Sequence, residues 1–208
     1  MKHFTRDDIG NLAKIERVNL INSVSGYKSA NLIGTISSES VTNLAIFSSV
    51  VHIGANPPLL GFIMRPVAEV PRHTYENIRG IPFYTVNHVH RSFVEAAHNT
   101  LARFDSRTSE FAACGFSEEY VEEFAAPFVK ESKIKIGLKF VEEIPIKLND
   151  TILIIGEIQH HLLAENLLLE NGSIDLNAAG DVCISNLDTY HDAEKIASFP
   201  YAKPGKAN

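Results

Sequence analysis

The run Lys133–Phe140 alternates more cleanly than any other stretch of the chain, with Ile134, Ile136, Leu138 and Phe140 on one side and Lys133, Lys135 and Lys139 on the other. Successive side chains of a strand point to opposite faces, so the pattern predicts a strand with one buried and one wet face. Other segments have strand character too. Ser29–Ser37 places Ala30, Leu32, Gly34 and Ile36 on one face, and Asn43–Ile53 is rich in Val, Ile and Phe. Leu59–Met64, after the break at Pro57-Pro58, is apolar enough for a buried strand, and Phe83–Val89 is another. The turn Leu148-Asn149-Asp150 leads into Thr151–His161, and Asn171-Gly172 between apolar runs signals a hairpin.

Helices are fewer. Thr5 with Asp7 and Asp8 reads as a capped, acidic helix start. Thr74–Arg79 reads as one helical turn opened by Thr74 and stopped by Gly80. Ser92–Arg103 carries Phe93, Ala96, Ala97 and Leu101 on one side, and Ser117–Phe124 has Ser117 as its cap with Glu118 and Glu119 in the first turn. Many antiparallel strands with a few peripheral helices predict a mainly β barrel rather than a βαβ fold. No Gly-x-Gly-x-x-Gly follows a strand, so a Rossmann nucleotide site is not supported.

A chain of 208 residues, 45% hydrophobic and 21% charged, suits one well-buried domain. No repeat or linker divides it, and only Lys203–Asn208 reads as a tail, so residues 1–208 are expected to form a single domain. The net charge of −6 and the scattered Lys and Arg argue against nucleic acid as a partner. The charged stretch Met1–Asp8 is no signal peptide, and no apolar window approaches the ~20 residues of a membrane span. Cys114 and Cys183 form no pair and read as small buried thiols in a reducing, cytoplasmic setting. His88-x-His90 lacks a third ligand, so no metal site is assigned. His160 and His161 read as surface residues, Tyr190-His191 as packing, and Glu110 as a solvated carboxylate whose alternative is to orient a substrate.

Residues 34–87 are unusually rich in hydroxyl and amide side chains. Ser37, Ser38, Ser40 and Thr42 precede Asn43-Leu44-Ala45-Ile46-Phe47-Ser48-Ser49; Arg65 and then Arg72-His73-Thr74-x-x-Asn77 follow. A phosphate needs short hydroxyl donors, free backbone N–H groups and one or two cations. A helical turn at Thr74 with Arg72 ahead of it supplies all three, although the same residues also read as ordinary turns and a helix cap.

In order along the chain, Gly34-Thr35 through Asn43-Leu44-Ala45-x-Phe47-Ser48, Asn56-Pro57-Pro58, Thr74-x-x-Asn77-Ile78 and Pro82–Asn87 resemble the flavin-reductase-like family of FMN-binding split barrels. Ser109-Glu110-Phe111, Ala126-Pro127-Phe128-Val129, Ile155-Gly156-Glu157-Ile158 and Leu187–His191 extend the resemblance to roughly residues 20–204. The resemblance implies a six-stranded antiparallel Greek-key split β-barrel over roughly 20–165 with a C-terminal extension over 166–208. It implies a homodimer that holds FMN non-covalently and takes electrons from NADH or NADPH as a transient donor. Asn43, Ala45 and Ser48 are then expected against the flavin, and Thr74 and Asn77 near its phosphate or ribityl chain. Arg72 stands in the place of the family's usual Lys. Ser37, Ser38, Ser49 and Arg65 join them on hydroxyl content, charge and proximity in sequence. Two departures stand out: His73 where the family often has Asp, and Ile46 where it often has Pro. No catalytic acid or base is expected, since the cofactor carries the hydride chemistry. The implied activity is a flavin reductase, able to supply a flavin-dependent monooxygenase; the alternative is an FMN-binding electron-transfer or flavin-storage protein.

Overall fold

The computed structural model describes residues 1–203, and Pro204–Asn208 of the expected tail lie outside the described residues. Two helices open the chain, α1 (Arg6–Asn11) and α2 (Lys14–Val24). The Thr5 hydroxyl accepts the Asp8 N–H at 3.2 Å while the Asp8 carboxylate accepts the Thr5 N–H at 2.8 Å, a reciprocal cap for α1. Strands β1 (Lys28–Ser29), β2 (Asn31–Ile36), β3 (Thr42–Phe47), β4 (Val51–Ala55) and β5 (Pro58–Met64) follow, then α3 (His73–Gly80) and β6 (Phe83–His88). Next come α4 (Val94–Asn99), α5 (Glu110–Cys114) and the short β7 (Glu118–Glu119) and β8 (Phe128–Val129). The long hairpin β9 (Ile134–Ile146) and β10 (Thr151–Leu163) precedes α6 (Leu176–Ala179), β11 (Val182–Ser185) and β12 (Thr189–Asp192).

The main sheet is antiparallel and seven-stranded, in the order β3-β2-β6-β9-β10-β5-β4. The protein is thus mainly β, a split barrel with peripheral helices. The expected count of six strands falls one short because Asn43–Ile53 is not a single strand. The run bends at Ser48–Val50, so β3 pairs with β2 and β4 pairs with β5 on the opposite edge. Ser49 pins the bend: its hydroxyl donates to the Ile63 carbonyl at 3.3 Å and accepts the Ile63 N–H at 3.1 Å.

β2 divides two cores. Ala30 and Leu32 pack with Leu44, Val89, Phe111 and Ile184, whereas Ile33 packs with Phe62, Ile78, Tyr84 and Leu138. The segment around β8 docks on this strand through buried polar groups. Asn87 Nδ2 donates to the Leu32 carbonyl at 3.0 Å, Asn87 Oδ1 accepts the Val129 N–H at 3.0 Å, and the Thr85 hydroxyl donates to the Pro127 carbonyl at 2.7 Å. A side chain at position 34 would put its Cβ 2.5 Å from that same carbonyl oxygen, which is why Gly34 stands there. The C-terminal β11 and β12 form a separate small sheet with β1.

Several expectations give way to tertiary contacts. Ser117–Phe124 is not a helix: the Ser117 N–H is taken by the Glu131 carboxylate, and Glu118–Glu119 pairs with β8 as a strand. The helix expected over Ser92–Arg103 ends at Asn99, where the Thr100 hydroxyl donates to the Ala97 carbonyl at 2.8 Å. Lys135 is not wet; it is buried and ion-paired with Glu119. The hairpin expected at Asn171-Gly172 shrinks to a single bridge, Leu168 with Ile174. His160, expected on the surface, packs its ring against Phe124.

Candidate functional site

β3, the bend after it, the end of β5 and the start of α3 enclose a cleft of about 590 Å³, roofed by residues 100–104. The cleft lies along the open edge of β3. Of the sequence-predicted residues, Asn43, Ala45, Ser48, Ser49, Arg65, Arg72 and Thr74 line it together. Ser37, Ser38 and Asn77 instead line a smaller pocket of about 250 Å³ that shares Asn43 and His73 with the cleft.

The wall between the two is a buried hydrogen-bond group. Asn43 Nδ2 donates to the Thr35 hydroxyl at 3.3 Å and to the Thr74 hydroxyl at 3.1 Å, and Asn77 Nδ2 donates to Thr35 at 3.0 Å. These amides are therefore engaged within the fold, and they tie β3 and α3 to β2. The helix starts at His73 with Arg72 as its N-cap, one residue before the expected opening at Thr74. Its first intrahelical bond runs from the Glu76 N–H to the Arg72 carbonyl at 3.0 Å, and no side chain caps it. The N–H groups of its first turn are left open, as helix geometry dictates.

Three guanidinium groups gather here. Burial, then Arg65 and Arg103, hold Arg72 below the usual arginine range. Among the described residues none of the three pairs with a carboxylate, and the one side-chain hydrogen bond of Arg72 runs from Nε to the Pro66 carbonyl at 3.3 Å. Along the same cleft the backbone N–H groups of Ser48 and Ser49 have no acceptor among the described residues, while Ala45, Phe47, Ile63 and Met64 supply an apolar wall. Free backbone donors, unpaired cations and an apolar slot suit a ligand that carries both an anion and a flat apolar ring.

Arg103, Thr100 and Glu110 were not among the predicted site residues. They come from segments far from the hydroxyl-rich stretch, and only folding brings them to it. Glu110 is 5% exposed rather than solvated, and burial raises its carboxyl above the usual range against the pull of its own N–H, the Leu44 N–H and His73. Cys114 is half-buried, with burial and Glu110 pushing its thiol up, which disfavours the thiolate.

The sequence matches the profile of the family described as Flavin reductase like domain over residues 25–181. The chain superimposes at a TM-score of 0.93 on a structure from Shewanella frigidimarina NCIMB 400 described as a flavin reductase with a split barrel domain. That chain is 48% identical, and the match covers 97% of this chain and 100% of the other. Nitrilotriacetate monooxygenase component B from Bacillus cereus has the same fold at a TM-score of 0.84 and 20% identity, covering 96% and 98% of the two chains. An uncharacterised protein of Halalkalibacterium halodurans is 30% identical over 149 residues, 69% of this chain and 71% of that one.

Proposed function

Because the chain belongs to the flavin reductase-like family, we propose that it binds FMN in this cleft and acts as an NAD(P)H-dependent flavin reductase. The observation that carries the reading is the unpaired cluster of Arg65, Arg72 and Arg103 beside the open start of α3, in a cleft that also has an apolar wall. A phosphate fits that corner, with Arg72 and the first-turn N–H groups as donors. The ring lies along β3 toward Ser48 and Ser49, against Ala45 and Phe47. When bound, the flavin supplies the hydride-accepting centre. The chain's part is to fix the ring, exclude water and leave one face open to a nicotinamide, which has no separate binding motif and is held weakly.

The same reading makes the protein a single-domain cytoplasmic homodimer. Val51 and Ile53 on the edge strand β4, with Val141 and Ile144 on β9, are 46%, 41%, 53% and 44% exposed, an apolar surface suited to a second copy. A flavin-dependent monooxygenase is the proposed acceptor of reduced flavin; among the structural neighbours is a monooxygenase component B. Anaerobic mixing of the FMN-loaded protein with NADH or NADPH should bleach the flavin absorbance on a catalytic timescale. Bleaching by dithionite but by neither nicotinamide would make the protein an electron-transfer or flavin-storage protein instead.

A further inference from the structure

β2 occupies one edge of β3, and no strand takes the other among the described residues. On that open edge two side chains of the cleft wall receive the backbone donors. The Leu44 N–H donates to Glu110 Oε2 at 3.1 Å, and the Ile46 N–H donates to the Thr100 hydroxyl at 3.0 Å. The two plugs are chemically unequal. Thr100 is neutral and gives its own proton to the Ala97 carbonyl. Glu110 brings a negative charge into a place where one neutral acceptor would cap the edge equally well. Its carboxylate, in a residue only 5% exposed, takes its own backbone N–H besides that of Leu44, and it is the single carboxylate on the cleft wall among the described residues. The roughly four lone-pair positions of a carboxylate exceed the two N–H groups that reach it, so it can accept donors from a ligand on the cleft side as well.

We infer that Glu110 determines ligand specificity by accepting hydrogen bonds from the hydroxyl groups of the ligand's polyol chain. The inference rests on the flavin reading above. With the phosphate at the start of α3, beside Asn43, and the ring toward Ser48 and Ser49, the segment between them runs past Leu44 and Ile46, the level at which Glu110 sits. In FMN that segment is the ribityl chain, whose hydroxyls are donors. Burial makes the carboxylate a stronger acceptor, as its raised pKa indicates.

The test is equilibrium binding of riboflavin and of an N10-pentyl flavin, which has the same ring and chain length without hydroxyls, to the wild-type protein and to Glu110→Gln. The Gln carbonyl still accepts the Leu44 N–H, so the edge stays capped. The wild type should prefer riboflavin by about tenfold or more. Glu110→Gln should lose most of that preference while binding the pentyl analogue within about twofold of wild type. Equal affinity of the wild type for the two flavins overturns the inference without any variant. A preference that survives in Glu110→Gln overturns it as well and leaves Glu110 as an edge cap. Failure of the wild type to bind either flavin, or FMN, overturns the flavin reading together with the inference.

Discussion

The place of Arg72 at the start of α3 was legible in the sequence, because local order alone fixes a cation just ahead of a helical turn. The repulsion of Arg72 from Arg65 and Arg103 would be relieved by the dianionic phosphate of the proposed ligand. Arg72→Ala should therefore weaken FMN by about tenfold or more while leaving riboflavin, which lacks the phosphate, within about twofold. Parallel titrations check this, and equal losses for both ligands would assign Arg72 to the ring or the fold. Asn43, Thr74 and Asn77 were expected as ligand contacts, and what the sequence did not show is that the Asn43 and Asn77 amides also bond the Thr35 and Thr74 hydroxyls within the fold. Sequence shows which groups can bond, not which bonds the fold has already taken. Tyr84 is a further case. Its phenol is buried without a partner in the core, and the backbone of Gly156 leaves it room that any larger residue would close. Tyr84→Phe should raise stability by about 1 kcal/mol in denaturant titration, by removing an unsatisfied hydroxyl; a loss would reveal a bonding partner for the phenol.

At the scale of elements, the strands were read correctly wherever period-two patterning or an apolar run was long, as in β9 and β10. Misreadings cluster where a distant group outbids a local signal. Ser117 has the look of a helix cap, yet its N–H goes to Glu131, fourteen residues on. Asn43–Ile53 has uniform β propensity, and only the Ser49 contacts with Ile63 reveal the bend that separates β3 from β4. The motif pieces Gly34, Asn87 and Pro127 are explained by docking of the β8 segment rather than by a ligand. Asn87→Ala removes the bonds to the Leu32 carbonyl and the Val129 N–H together. It should cost about 2–4 kcal/mol of unfolding free energy and raise amide hydrogen exchange at Val129 first. Unchanged exchange at Val129 would show that apolar contacts alone hold the segment.

For the molecule as a whole, composition and strand pattern sufficed for a mainly β single chain, but not for the division of its interior by β2 or for the roof over the cleft. Both depend on contacts between residues tens of positions apart. Nor does composition reveal which apolar residues stay outside. Val51, Ile53, Val141 and Ile144 remain exposed, so the protein should sediment or scatter light at about twice 23.0 kDa. A monomer at micromolar concentration that still holds FMN would rule out a cofactor site completed by a second copy. One feature of the cleft also bears on time. The Thr35 hydroxyl accepts an amide from β3 and another from α3, so the wall is fastened at both sides before any ligand arrives. A wall so fastened has nothing to rearrange on encounter. In stopped-flow mixing, the observed rate of flavin association should rise linearly with flavin concentration as a single exponential, and Thr35→Val should introduce a slower phase that saturates.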